Sequence, residues 1–189
     1  DTLTKRQSEI QEQEVFVMQF KKVVGLAAAA TMMLAMSATA FAADGDVYAK
    51  FCKDGQGSGS VSMVQKAVAG KSEVTVDEAK DCYKITIPVK VFTHSMGSFS
   101  GTGQLTSLTV NGEVYTADYE NDGDNDPDTG VVTIWDTENV FVDEETGGFC
   151  VDTDTYLDVT TGYNILMGTY PMDMASDADL YFSSELAEY

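Results

Sequence analysis

Beyond residue 44, apolar and polar positions alternate with a period of two along much of the chain. That is the pattern of strands with one buried and one wet face. Residues 83–91 are the clearest case: Tyr83, Ile85, Ile87, Val89 and Val91 point one way, and Lys84, Thr86 and Lys90 the other. Val47, Ala49 and Phe51 mark an earlier strand over residues 46–51, and residues 73–76 a short one. Pro88 has no N–H to give a ladder, so its amide side is expected at an edge or bulge. Residues 105–110 and 113–119 flank Asn111-Gly112. Asn-Gly between two strand-like runs predicts a type I′ hairpin, because both turn positions need positive φ. Further strands are expected at residues 131–135, 140–142, 156–159, 163–166 and 179–182, and residues 60–68 are expected to form a turn or two of helix stopped by Gly70. Many short strands with regular turns predict an all-β fold, an antiparallel β-sandwich or barrel, with one short helix near its start.

The pattern breaks at residues 18–43. Met18 is followed by Lys21-Lys22, an apolar Ala-rich run from Val23 to about Met36, and Ala40-Phe41-Ala42. Positive, apolar and small-x-small regions in that order are those of a helical secretory signal peptide. The run is shorter than the roughly 20 apolar residues a membrane span needs. Residues 44–189 are then the mature domain, secreted or cell-wall associated, with no membrane span after cleavage. Residues 1–17 are polar and do not begin with Met, so they are expected to be a mis-annotated upstream extension; a genuine cytoplasmic extension with an uncleaved anchor is the alternative.

Charge narrows the partners. The chain carries a formal net charge of −20, and beyond Lys90 there is no Lys or Arg. Such a surface repels nucleic acid and anionic lipid, so any anionic ligand must be met by the lysines between Lys50 and Lys90. Cys52, Cys82 and Cys150 fit no zinc or CxxC spacing. They are expected to be small buried residues, although an exported protein can pair two of them. Asp122, Asp124, Asp126 and Asp128 alternate in a Gly- and Pro-containing stretch. They form a candidate calcium loop, or else a solvated acidic hairpin tip. His94 lies among Ser and Gly residues that read as a loop, with no Gly-x-Ser-x-Gly elbow in company. With no phosphate loop or dinucleotide fingerprint either, a non-enzymatic binding protein is expected.

The element order resembles the NEAT (near-transporter) domain, the immunoglobulin-like haem-binding module exported by Gram-positive bacteria. The residues that carry the resemblance are the opening strand, the short helix with Ser62-Met63, residues 73–76 leading into 83–91, the stretch Gly101-Thr-Gly-Gln-Leu-Thr-Ser-Leu-Thr-Val-Asn-Gly112, and a closing strand at 178–182. The resemblance implies an immunoglobulin-like β-sandwich that captures haem for iron uptake between the short helix and the last hairpin. It also implies haem, a haem-carrying protein or another extracellular protein as partner. In the family a Tyr-x-x-x-Tyr motif on the last hairpin supplies the iron ligand; here the matching positions fall near Met172 and Ser176, and Tyr170 is the nearest phenol. Methionine sulfur and tyrosinate are both haem ligands. The candidate haem-binding residues are therefore Ser62, Met63, Lys66, Tyr170, Met172 and Met174, with Lys71 a further partner for the propionates. Two other readings stand beside it. One is an adhesion or interaction module that keeps the fold without haem. The other is a calcium-stabilised carbohydrate-binding module using residues 122–128 and exposed aromatics such as Tyr115 or Tyr119.

Overall fold

The computed structural model describes residues 46–96, 99–120, 129–167 and 170–189, apart from the side chains of Met96 and Phe99. The expected upstream extension, the signal peptide and Asp122, Asp124, Asp126 and Asp128 lie outside the described residues. No described helix is long and apolar enough to cross a membrane.

Two antiparallel sheets face each other across one core. Sheet A runs β1 (Tyr48–Lys53), β10 (Tyr170–Ser183), β9 (Leu157–Met167), β5 (Phe99–Val110) and β4 (Phe92–Met96), with β6 (Glu113–Thr116) also paired to β5. Sheet B runs β2 (Glu73–Asp77), β3 (Cys82–Lys90), β8 (Thr129–Asp136) and β7 (Asp118–Glu120). The period-two pattern decides which side chains meet between them. Tyr83, Ile85, Ile87 and Val89 on β3 and Val132 and Ile134 on β8 face Leu105, Leu108, Val159, Ile165, Leu180 and Phe182 of sheet A, all buried. Asn111 and Gly112 have φ of 50° and 81°, and Val110 pairs with Glu113 across them, so the expected hairpin forms. Pro88 lies past the last β2 partner of β3, and its carbonyl accepts the Ala69 N–H at 2.9 Å. Its donorless nitrogen thus faces the edge away from β8, as the ladder rule requires.

Residues 60–72 seal one edge of the sandwich. They contain the helix, which is a single 3-10 segment, Met63–Ala67. Buried Gln65 ties it to β1. Its Oε1 accepts the Phe51 N–H at 2.8 Å, and its Nε2 donates to the Ala49 and Ala187 carbonyls, each at 3.2 Å. Ser62 donates its N–H to Phe51 O, and Ser72 donates its N–H to Val47 O. Several outer backbone groups of β1 thus find partners in this segment instead of in another strand. Val68 then turns extended and bridges Val89 of sheet B.

Several expected boundaries shift, β5 and β10 starting early at Phe99 and Tyr170, and four of the changes have a local reason. Residues 113–119 are two strands: β6 leaves sheet A at Ala117, whose N–H bonds the Thr106 carbonyl at 2.9 Å, and β7 continues in sheet B. Thr106 is the residue passed over where the β5–β9 register shifts between Leu105 and Ser107, so the bulge supplies the crossing point. Residues 156–159 and 163–166 merge into β9, with Gly162 set against Ser107 where a Cβ would come within 2.5 Å of its Oγ. Residues 140–142 form a turn with one bridge, Val142 to Phe149, because buried Asp136 accepts the Val140 and Phe141 N–H groups at 2.9 and 2.8 Å. The stretch around His94 is strand β4, not a loop. The three cysteines are free, Cys52 and Cys82 buried and Cys150 half-buried.

Aromatic rings plug the end of the sandwich where β3 begins, next to Tyr83. Phe141 and Phe149 meet Phe182 edge-on at 4.8 and 5.0 Å, and Tyr83 meets Phe149 at 5.2 Å. The Tyr83 hydroxyl donates to Gly147 O at 2.8 Å.

Two outcomes follow. Asp136→Ala orphans two N–H groups and is expected to cost about 2–4 kcal/mol, measured by chemical denaturation; Asp136→Asn, which keeps an acceptor, should cost less. Burial pushes the phenols of Tyr83, Tyr115 and Tyr119 up to about 12 from the ordinary 10.0. The folded chain then holds protons that the unfolded chain gives up, so stability falls as pH rises through that interval. Alkaline unfolding followed by circular dichroism, with tyrosinate absorbance read in parallel, checks it.

Candidate functional site

The opposite end of the sandwich is built differently. β10 pairs with β9 in one unbroken register, from Tyr170 opposite Met167 to Leu180 opposite Leu157. With no bulge, Tyr170, Met172 and Met174 stay on the same face as Ala178, Leu180 and Phe182, the face that lines the core. Near the plugged end these positions are buried; toward Tyr170 they emerge, with Met174, Met172 and Tyr170 exposed by 43%, 40% and 77%. The chain passes from β3 to β4 through Val91 alone, so sheet A continues here past the end of β3.

Cross-strand rows extend this face over four strands. Met174 stands opposite Tyr163, which stands opposite Leu105. Met172 stands opposite Ile165, then Gly103, then Phe92. Tyr170 stands opposite Met167, and one row further on β5 Gly101 stands opposite His94. The glycines have a packing reason. A Cβ on Gly103 would come within 2.6 Å of the Phe92 ring, and one on Gly101 would collide first with the Leu166 carbonyl oxygen and then, at 2.8 Å, with the Met167 sulfur. Phe92 and Met167 therefore lie down over β5 and keep the surface low. Four strands at about 4.8 Å spacing make a platform roughly 14 Å wide. Its floor is apolar and its rim carries a phenol, thioethers and the half-buried His94. The outer face is polar: Asn164 donates to Asp173 at 2.8 Å, and Thr160 to Asp177 at 2.7 Å.

The structure brings Tyr170, Met172 and Met174 together in one row on β10. Ser62, Met63 and Lys66 lie on a separate element, the short helix, whose main packing is on β1, β3, β4 and β5. Ser62 is buried at the helix N-cap and its side chain makes no capping bond. Met63 is half-buried against the core. Lys66 holds its ammonium 4.6 Å above the Tyr189 ring. Lys71 is ion-paired with Asp46. His94 and Met167 are the platform residues that sequence reading missed. The signal was present: His94 is two residues from the apolar Phe92 and shares its face, once residues 92–96 are read as a strand. Trp135 packs half-buried against the core; its Nε1 donates to Asp77 Oδ2 at 2.8 Å and Lys80 lies 3.7 Å over its ring. Tyr115, expected among the exposed aromatics, is buried.

No protein-family model matches the chain, and no curated protein matches it. Among solved structures it is similar to an IsdX2-NEAT5 mutant in complex with heme, at 16% sequence identity and a TM-score of 0.43. The likeness covers 76% of this chain and 95% of that one.

Platform and core should separate energetically. Tyr170→Phe and Met174→Ala are expected to change stability by less than about 0.5 kcal/mol, as exposed positions do. Leu180→Ala, on the same face of the same strand but fully buried, should cost about 2–5 kcal/mol. Urea denaturation of the three variants measures the contrast.

Proposed function

We propose that this chain is an exported, immunoglobulin-like binding domain that captures haem, or a closely related planar porphyrin, on the open end of sheet A. One observation carries the reading. Tyr170, Met172 and Met174 stand exposed on the core-facing side of β10, continuous with the buried Tyr163, Ile165 and Phe92. Apolar surface held open at the end of a packed core favours a flat, greasy ligand. Tyr170 and Met174 are four residues apart on one face, the spacing of the Tyr-x-x-x-Tyr motif in the resembling family, set two residues earlier than Met172 and Ser176. A phenolate and a thioether are both competent toward haem iron. Methionine in the second place gives a softer, neutral group where the motif has a phenol. His94, at the far end of the Tyr170 row, is a third candidate ligand. The acidic surface turns propionates away from the C-terminal half, toward the lysines that precede residue 91. Export through residues 18–43, and binding without catalysis, belong to the same reading.

A second reading, an interaction module without haem, rests on the backbone of β10. β1 pairs only with residues 178–183, so the outer edge of residues 170–177 has no strand beside it among the described residues. A free edge accepts an added strand.

Haem titration of the purified protein decides between them. A Soret shift at micromolar haem is expected, with Tyr170→Phe or Met174→Ala weakening binding by about tenfold, or about 1.4 kcal/mol. No shift at micromolar haem removes the first reading and leaves the second.

A further inference from the structure

Sheet A carries a second concentration of chemistry, on its outer face and near the plugged end. Asp158 and Asp179 stand directly opposite each other on β9 and β10. Asp54, in the turn after β1, adds a third carboxylate, and one oxygen from each of the three lies within 4.8 Å of the others. Like charges directly opposite in a ladder destabilise it. The chain has placed three together, and no described lysine or arginine is ion-paired with any of them.

Asp179 sharpens the problem. It is 1% exposed. Its Oδ2 accepts the Gly55 N–H at 3.2 Å, while its Oδ1 is buried with no hydrogen-bond partner. A buried carboxylate oxygen left unpaired is among the costlier defects a fold can carry. Burial raises this carboxyl above its ordinary value, the Gly55 N–H lowers it, and Asp54 and Asp158 raise it again. Asp54 and Asp158 are themselves exposed, so the group opens to solvent. Asp54 and Asp158 line a groove of about 480 Å³ together with Thr109, Asn111, Thr160 and Asp177, and Asp179 lies buried behind them. Cys52, opposite Asp179 on β1, turns its thiol to the Ser58 carbonyl at 3.4 Å and stands outside the triad.

We propose that Asp54, Asp158 and Asp179 form a binding site for a divalent cation, calcium, on the outer face of sheet A. The donor set is all oxygen, which excludes the softer metals that seek sulfur or imidazole. Calcium accepts irregular shells of about six to eight oxygens completed by carbonyls and water, whereas magnesium demands a near-octahedral one. The ion removes the carboxylate repulsion, satisfies Asp179 Oδ1 and ties the turn after β1 to the β9–β10 ladder. The site is independent of the haem platform, which uses the other face of the same strands.

The test uses calcium alone. Calorimetric titration of the purified protein is expected to show saturable calcium binding, and calcium is expected to raise the melting temperature by several degrees over EDTA. Terbium luminescence sensitised by Tyr181 and Tyr156, whose rings lie 5.2 Å apart, reports occupancy directly. Asp54→Asn and Asp158→Asn change exposed carboxylates and are each expected to weaken binding by at least about tenfold. In EDTA both should melt at or above the unsubstituted protein, because the repulsion is relieved. The comparison is repeated in an Asp124→Asn, Asp126→Asn background, which removes carboxylates of the other acidic stretch. Equal melting in calcium and EDTA with no heat of binding at millimolar calcium overturns the proposal, as does unchanged binding in both Asp54→Asn and Asp158→Asn.

Discussion

The unbroken register between β9 and β10 is the constraint on which everything else in this molecule depends. Over the span from Tyr170–Met167 to Leu180–Leu157 the two strands never slip. Side chains on a strand alternate strictly, so a one-residue shift would exchange the faces along the whole length. Leu180 and Phe182 would leave the core, Asp179 would enter it, and the row of Tyr170, Met172 and Met174 would turn to the outer surface. Core, platform and acidic triad are therefore three consequences of one alignment. At 14 residues β10 is long enough to serve all of them, and β1 accompanies only residues 178–183.

The two ends of the sandwich show how the same layers give different surfaces. At the Tyr83 end the turn after β8 folds Phe141 and Phe149 in against Phe182, and Asp136 pins that turn by its N–H groups. At the other end sheet A runs on past β3, and the side chains that would be core there remain accessible. Gly103 keeps that surface flat by leaving room for Phe92 to lie across β5, and Gly101 admits the Leu166 carbonyl with Met167 beside it. Closure at one end and openness at the other are both matters of side-chain volume, set by a few positions.

Much of this was legible in the sequence, and what was not has physical causes. The alternation in residues 83–91 and the Asn111-Gly112 turn were readable because each has a strong local determinant: period-two burial for the first, positive φ for the second. The merger of β9 across Thr160, Thr161 and Gly162 was not, because polar and glycine residues signal a turn when read alone. Thr161 is fully buried with its hydroxyl on the Ser176 carbonyl at 2.8 Å, a bond that only the partner strand supplies. The sheet change at Ala117 depends on a bulge in β5, far away in sequence. Tyr170, Met172 and Met174 could be picked out by residue type, and their shared face comes from pairing. His94 was passed over because its neighbours are Ser and Gly, and the Asp54–Asp158–Asp179 group because its members are scattered along the chain and meet only in three dimensions.

Gln65 has a wider bearing than holding a short helix in place. By occupying the Phe51 N–H and the Ala49 carbonyl, it stands in for a neighbouring strand with one amide side chain. That rim of sheet A is thereby closed to templated growth, the route by which exposed ladders recruit copies of themselves. Along the same border, the first half of β10, residues 170–177, has no strand beside it among the described residues. Any assembly by strand addition on this side is thus steered to one short stretch, next to the open platform.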